Sequence, residues 1–182
     1  MELRPGKILI RENEIAARIG VLAAEINRAY GGRPVTLVGV LDGCLIFLAD
    51  LVRGLAMPIE IVLVRVKTYG NSTRPVKKPA ISEDDVSMLA RRHVLVIDDI
   101  YDSGGTLAAL TETLTRLGAA SLKKCILLRK ERQHENPTDV DYIGFTVPDV
   151  FVVGYGLDYA GKWRNLPYIA ELEGFDTDHA IA

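Results

Sequence analysis

Apolar positions fall at helical spacing between Glu12 and Tyr30, where Ile15, Ile19, Leu22, Ala23 and Ile26 share one face, and Gly31-Gly32 breaks the pattern. This predicts an opening amphipathic helix. The next run, VTLVGVL from Val35 to Leu41, is short, nearly all apolar and rich in β-branched residues, as expected of a strand covered on both faces. A helix from Leu45 to about Leu55 and a second strand, IEIVLVRVK from Ile59 to Lys67, should follow. Between Tyr69 and Pro79 lie Gly70, Pro75, Pro79 and the basic residues Arg74, Lys77 and Lys78, with almost nothing apolar, which predicts a long mobile loop. HVLVI, His93 to Ile97, reads as another buried strand. Thr106 to Leu117 reads as a helix ending at Gly118, a C-cap residue, with a polar turn before it. Leu122 to Leu128, Asp141 to Thr146 and Phe151 to Tyr155 read as three more strands, and a polar tail closes the chain.

Strands alternating with helices predict an α/β fold around a largely parallel sheet, in which ligands gather outside the carboxyl ends of the strands. The chemistry should therefore lie in the loops that follow the strands. A length of 182 residues with 48% hydrophobic content fits one domain, and 22 Lys+Arg against 24 Asp+Glu leave a formal charge of only -2. Nothing in such a balance suggests a surface built for nucleic acid or anionic lipid, so small molecules are the expected partners. Residues Met1 to Gly6 lack a basic segment followed by an apolar one, and no apolar run is long enough to cross a bilayer; the expected location is cytoplasmic. Cys44 and Cys125 form no C-x-x-C pattern, which argues against a disulfide framework or a zinc site.

The most informative stretch follows HVLVI: Asp98-Asp99-Ile100-Tyr101-Asp102-Ser103-Gly104-Gly105-Thr106 and then a helix. Two glycines let backbone N–H groups converge at a helix N-terminus, and Ser103 and Thr106 add hydroxyls, which together make a phosphate cradle. The stretch has no Walker lysine and no G-x-G-x-x-G turn. Three carboxylates beside a phosphate would repel it unless they hold hydroxyl groups, a metal ion or a proton in transit, uses that a phosphorylated sugar with Mg²⁺ would satisfy. The plainer alternative is that Asp98 and Asp99 end a strand and Asp102 or Ser103 caps the helix.

VLVIDDIYDSGGTL resembles the signature that binds phosphoribosyl pyrophosphate (PRPP) in type I phosphoribosyltransferases, and the stretch from Leu127 to Pro167 is similar to hypoxanthine-guanine phosphoribosyltransferases almost throughout. The resemblance implies the type I fold: a central, mostly parallel sheet flanked by helices, with a small C-terminal hood. It implies one domain over residues 1–182, with a core of about 10–130, a hood of about 131–182 that the N-terminus can join, and a mobile loop of about 69–80. It further implies that Asp98 and Asp99 hold the ribose hydroxyls, that Asp102, Ser103, Gly104, Gly105 and Thr106 wrap the 5′-phosphate, and that Asp102 is general acid/base at N7 of a purine. Lys130 matches the lysine that donates to the 6-oxo group, a choice that favours hypoxanthine, guanine or xanthine over adenine. Phe151 matches the ring that stacks on the base, Val152 the residue whose main chain reads the purine edge, and Asp158 a magnesium ligand beside the base; Asp98 and Asp99 are the further candidates for the metal. Arg164 matches the arginine that neutralises pyrophosphate. Taken singly, Lys130 could equally be a solvated lysine, Phe151 and Val152 strand core, Asp158 a turn former and Arg164 a surface charge.

Some positions depart from the pattern. Leu41-Asp42-Gly43-Cys44 stands where the pyrophosphate loop often reads Leu-Lys-Gly-Ser, so Asp42 reverses a charge, Cys44 replaces a hydroxyl, and backbone N–H groups from Leu41 to Gly43 must carry more of the contact. In relatives the peptide before that lysine position can be cis, which directs attention to the Leu41–Asp42 bond. Thr68-Tyr69-Gly70 stands for the usual Ser-Tyr-Gly, making Thr68 and Tyr69 the lid candidates. Gly105 and Val150 sit where relatives carry basic residues. The implied reaction is transfer of phosphoribose from PRPP to hypoxanthine or guanine, with Mg²⁺, by a homodimer or homotetramer. A xanthine-preferring transferase and a PRPP-sensing regulator of the same fold are the alternatives.

Overall fold

The computed structural model describes residues 2–66 and 87–175. In chain order it contains β1 (Arg4–Ile10), α1 (Glu12–Tyr30), β2 (Val35–Leu41), α2 (Leu45–Val52), β3 (Ile59–Arg65), a 3₁₀ turn (Ser87–Leu89), β4 (His93–Tyr101), α3 (Gly105–Arg116), β5 (Ser121–Lys130), β6 (Tyr142–Val147), β7 (Val152–Val153) and β8 (Ile169–Glu173). The loop expected at 69–80, with Thr68 and Tyr69, lies outside the described residues.

β3-β2-β4-β5-β6 form one sheet in that order, and every neighbouring pair is parallel. Strand side chains alternate between its faces. Leu37, Leu95 and Ile97 join the core beneath α1 and α2, while Val38, Val40, Val94 and Val96 pack with Leu107, Leu110 and Leu114 of α3 on the other side. The two apolar faces explain why these strands read as continuous hydrophobic runs. On α1, Ile15, Leu22 and Ile26 are fully buried, and each is worth roughly 1.5–3 kcal/mol relative to exposure. Gly31 ends α1 in the left-handed region at φ 56°, its N–H donating to the Asn27 carbonyl.

From β2 the chain steps outward to β3 and then returns to β4 on the opposite side of β2. The strand order thus reverses between β2 and β4, and a crevice opens at their carboxyl ends. Leu41–Cys44 leaves one lip of this switch point and Asp98–Thr106 the other.

Two strands went unread in the sequence. β1 and β8 pair antiparallel, and β8 also pairs with β7, giving a separate three-stranded sheet. Pro5-Gly6 in β1 reads locally as a turn, and the β1–β8 register is shifted between Pro5 and Ile8 and again between Ile8 and Ile10. The supposed polar tail therefore supplies the middle strand of that sheet. The strand expected from Phe151 to Tyr155 shortens to Val152–Val153, because Gly154 and Tyr155 turn to φ 100° and 49°. β4 runs four residues past the expected Ile97, so Asp98 and Asp99 lie within a paired strand, with Asp98 opposite Ile126.

Candidate functional site

Asp98 is only 4% exposed, and its Oδ1 accepts a hydrogen bond from the Asp99 backbone N–H at 3.0 Å. Burial, reinforced by repulsion from Asp99, holds the Asp98 carboxyl well above the usual carboxylate range; burial also raises Asp99. The folded chain therefore binds the Asp98 proton more tightly than the unfolded chain does. The contribution of Asp98 to stability is greatest below the ordinary carboxylate range and declines as pH rises from there to the raised value. Asp98→Asn removes that penalty. It is expected to raise the Tm of the ligand-free protein at alkaline pH more than at acidic pH; equal shifts at both in thermal unfolding would refute the burial account.

The other lip of the crevice closes tightly on this pair. A Cβ added at Gly43 would fall closer than 3.0 Å to the Asp99 carboxylate, and one at Gly156, whose φ is +99°, would meet the Gly43 carbonyl oxygen as closely. Only glycine lets these segments touch. The Leu41–Asp42 peptide is cis. The Asp42 carboxylate pairs with Arg65 at 2.9 Å, and Arg65 stands beside Leu41 in the parallel β2–β3 register. A cation from the neighbouring strand thus answers the charge at Asp42. Cys44 is buried and its thiol is pushed up to about 12 by burial, so no thiolate nucleophile is available there.

Asp102, Ser103 and Gly104 form the turn into α3, which begins at Gly105, one residue earlier than the sequence pattern suggested. Gly104 adopts φ 86°, and its Cα faces the Asn136 carbonyl so closely that a Cβ would overlap it. The Asn136 N–H donates to the Ser103 carbonyl at 3.0 Å, and the Gly105 N–H to Ser103 Oγ at 3.4 Å. The N–H groups of the first turn of α3, including those of Gly105 and Thr106, carry the positive end of the helix dipole. The cradle expected at 102–106 is therefore a real helix N-terminus, braced from behind by the segment around Asn136. Tyr101 completes the brace: its Oη donates to the Asn136 carbonyl at 3.3 Å and accepts from the Thr138 N–H at 2.8 Å, and its ring stacks on His134 at 4.0 Å. His134 Nδ1 lies 2.5 Å from the Asp102 carbonyl oxygen, a pairing that needs a proton on Nδ1.

Lys130 ends β5 with 9% exposure, and its Nζ lies 3.3 Å from Asp102 and 3.5 Å from Asp149. Arg132 reaches the same two carboxylates, at 3.0 Å and 3.7 Å. Lys130 and Asp102 are thus in contact although nearly thirty residues apart. Arg132, Asp149 and His134 were not singled out from the sequence; their only signal was charge in a segment without periodicity. A cavity of 710 Å³ is lined by Lys130 and Arg132 with Tyr101, His134, Val140 and Ile143, and does not reach Asp98 or Asp99.

The remaining candidates sit on the segments around β7. Phe151 packs with Phe175 at 4.3 Å and Tyr159 at 5.5 Å between ring centroids, and Val152 is buried. Arg164 donates to the Gly156 carbonyl at 2.6 Å and pairs with Asp158 at 2.7 Å. The second Asp158 oxygen accepts from the Gly161 N–H at 2.6 Å. Arg164 and Gly43 therefore meet through Gly156. Tyr155 anchors this segment to α2 by donating to Asp50 at 2.6 Å.

Among the described residues, no three His, Cys, Asp or Glu side chains gather as a metal cage. Mg²⁺ seldom uses one: it takes one or two carboxylates and completes its octahedron with water and substrate oxygens. Two adjacent carboxylates, Asp98 buried and Asp99 half-buried, both pushed upward by desolvation, fit such an ion.

A parallel sheet with its switch point between β2 and β4, a buried and a half-buried aspartate side by side at the carboxyl end of β4, and a glycine turn opening a helix N-terminus together define the phosphoribosyl transferase class. Residues 7–160 match the phosphoribosyl transferase domain family. The chain is 41% identical to the hypoxanthine-guanine phosphoribosyltransferase of Bacillus subtilis over 167 residues, covering 92% of this chain and 93% of that one. It is 38% identical to the hypoxanthine phosphoribosyltransferase of Haemophilus influenzae over 168 residues, covering 91% and 94%. Among solved structures, the hypoxanthine-guanine phosphoribosyltransferase of Bacillus anthracis with a HEPES molecule in its active site superimposes with a TM-score of 0.85 at 36% identity, covering 92% and 99%. A ternary substrates complex of the Trypanosoma cruzi hypoxanthine phosphoribosyltransferase, carrying a lysine-to-arginine substitution, gives 0.86 at 33%, covering 93% and 96%. The chain belongs to the hypoxanthine-guanine phosphoribosyltransferase family.

Proposed function

We propose that the protein is a purine-salvage enzyme that transfers the 5-phosphoribosyl group of PRPP to hypoxanthine or guanine, giving IMP or GMP and pyrophosphate. The contact between Lys130 and Asp102 carries this reading: a nearly buried ammonium stands 3.3 Å from a carboxylate at the mouth of the phosphate cradle. An oxygen-seeking donor and a proton acceptor at that spacing suit the 6-oxo group and N7 of one purine. Phe151 stacks on the base and the Val152 main chain reads its edge. Asp98 and Asp99 accept from the ribose hydroxyls. Ser103, Gly104, Gly105 and Thr106 hold the 5′-phosphate at the start of α3.

In the reaction N9 attacks C1′, the N9–C1′ bond forms as the C1′–O bond to pyrophosphate breaks, and the bonding pair leaves on the pyrophosphate oxygen. The proton on N7 passes to Asp102. Backbone N–H groups of the Leu41–Asp42–Gly43 segment receive the pyrophosphate, and the Arg164 fork neutralises it after exchanging its pairing with Asp158. Asp98, Asp99 and an Asp158 so released would hold magnesium, which when bound would supply positive charge to the leaving group.

Lys130→Ala tests the base assignment. Loss of a charge-assisted hydrogen bond, about 1.5–3 kcal/mol, should raise the hypoxanthine KM roughly ten- to a hundredfold and leave the PRPP KM near wild type. An unchanged hypoxanthine KM would remove Lys130 from the base site.

A cytoplasmic homodimer or homotetramer belongs to the same reading. No described helix is long and apolar enough to cross a membrane, and Ile61 and Leu63 stand 48% and 43% exposed on the edge strand β3, apolar surface that a second copy can cover. Sedimentation equilibrium is expected to give at least a dimer; a monomer at micromolar concentration would exclude this assembly.

A further inference from the structure

We propose that Asp149 is a positioning residue that aims the Lys130 ammonium at the 6-oxo group of the base, and so sets the preference for oxopurines. The inference rests on the base-site reading of Lys130 given above. An ammonium has three N–H donors in a tetrahedral spread. Asp102 Oδ2 at 3.3 Å and Asp149 Oδ1 at 3.5 Å draw the ammonium from two sides as ion pairs. A single carboxylate would let the group swing about that one contact; two narrow the directions in which a donor can face the base.

The chain position of Asp149 fits the task. It lies in the connection from β6 to β7, two residues before Phe151, so the segment that presents the stacking ring also presents the carboxylate that orients the ammonium. Ring and donor are thereby held in one relation to a base lying between them.

Asp149 also answers a charge problem that the reaction creates. Lys130 and Arg132 face Asp102 and Asp149, two cations against two anions. When Asp102 takes the N7 proton it becomes neutral, and Asp149 is then the carboxylate that still holds both cations in place. Without Asp149, both would rest on Asp102 alone, and Lys130, only 9% exposed, would lose its partner as the proton arrives.

The test compares hypoxanthine, which carries the 6-oxo group, with unsubstituted purine, which lacks it. KM for hypoxanthine, Ki for purine as a competitive inhibitor, and KM for PRPP are measured with the magnesium-loaded wild type, Asp149→Asn, Asp149→Glu and Lys130→Ala. Asp149→Asn is expected to weaken hypoxanthine about tenfold, within the range of one misdirected charge-assisted hydrogen bond, while purine and PRPP stay within about twofold. Asp149→Glu, which keeps the charge on a longer stem, should recover part of the loss. Equal weakening of hypoxanthine and purine would mean that Asp149 only braces the fold, and unchanged constants would mean that it does nothing at the base; either overturns the proposal. If Asp149→Asn fails to fold, Asp149→Glu decides: a hypoxanthine-to-purine ratio equal to wild type overturns the proposal, and a lower ratio supports it. Failure of the underlying reading looks different, since Lys130→Ala would then keep the wild-type hypoxanthine-to-purine ratio.

Discussion

Replacing Asp102 by Asn should lower kcat about 10²- to 10⁴-fold, the range associated with a positioned general acid or base, while the PRPP KM stays within a few-fold of wild type. The substitution is nearly isosteric. Lys130 and Arg132 approach different oxygens of the carboxylate, at 3.3 Å and 3.0 Å, so Asn keeps an acceptor for one of them, and the Asp102 carbonyl can still pair with His134. What it loses is the ability to take a proton from N7 as N9 attacks. If the carboxylate only anchored the two cations, Asn would lose binding and spare kcat. Steady-state kinetics in both substrates separate the two, and a kcat within tenfold of wild type would assign the proton elsewhere.

Gly104→Ala is expected to be among the most damaging small substitutions at the described glycines. At φ 86° an alanine is strained by roughly 1–2 kcal/mol before any contact is counted. Its Cβ would also overlap the Asn136 carbonyl, a main-chain atom that cannot swing aside as a side-chain tip could. Asn136 is in turn bonded to Ser103 and Tyr101, so relief requires the whole segment behind the cradle to shift. We expect a loss of about 2–4 kcal/mol in denaturant unfolding, within the range of strained-backbone and overpacking mutants, together with weaker PRPP binding. By contrast, a Cβ at Gly118, also at positive φ, meets nothing within 4 Å, so Gly118→Ala should cost only the conformational strain. Equal losses at the two positions would show that the contact with Asn136 carries no weight.

The sequence was most legible where one short segment carries the whole message. β2, β4 and β5 are covered on both faces and so appear as unbroken apolar runs, and the cradle is contiguous from Asp98 to Thr106. The parts that escaped depend on distant pairings. β1 finds β8 across more than 160 residues with two register shifts, and its Pro-Gly dipeptide argues locally for a turn. Arg132 became visible only once the segment after β5 folded back onto Asp102, and Asp149 only once the connection from β6 to β7 met Arg132. Asp42 looked like a lost cation until the parallel register placed Arg65 beside it. The β4 boundary was misplaced because Asp98 and Asp99 are poor strand formers, kept in the ladder by pairing with β5.

The decisive measurement is turnover: wild-type protein with Mg²⁺ and PRPP, offered hypoxanthine, guanine, xanthine and adenine in parallel, with nucleotide and pyrophosphate both quantified. Equimolar IMP or GMP and pyrophosphate from the oxopurines, with no AMP from adenine, is the expected result. PRPP binding without turnover of any base would contradict it, and would leave a PRPP-binding regulator on the same fold.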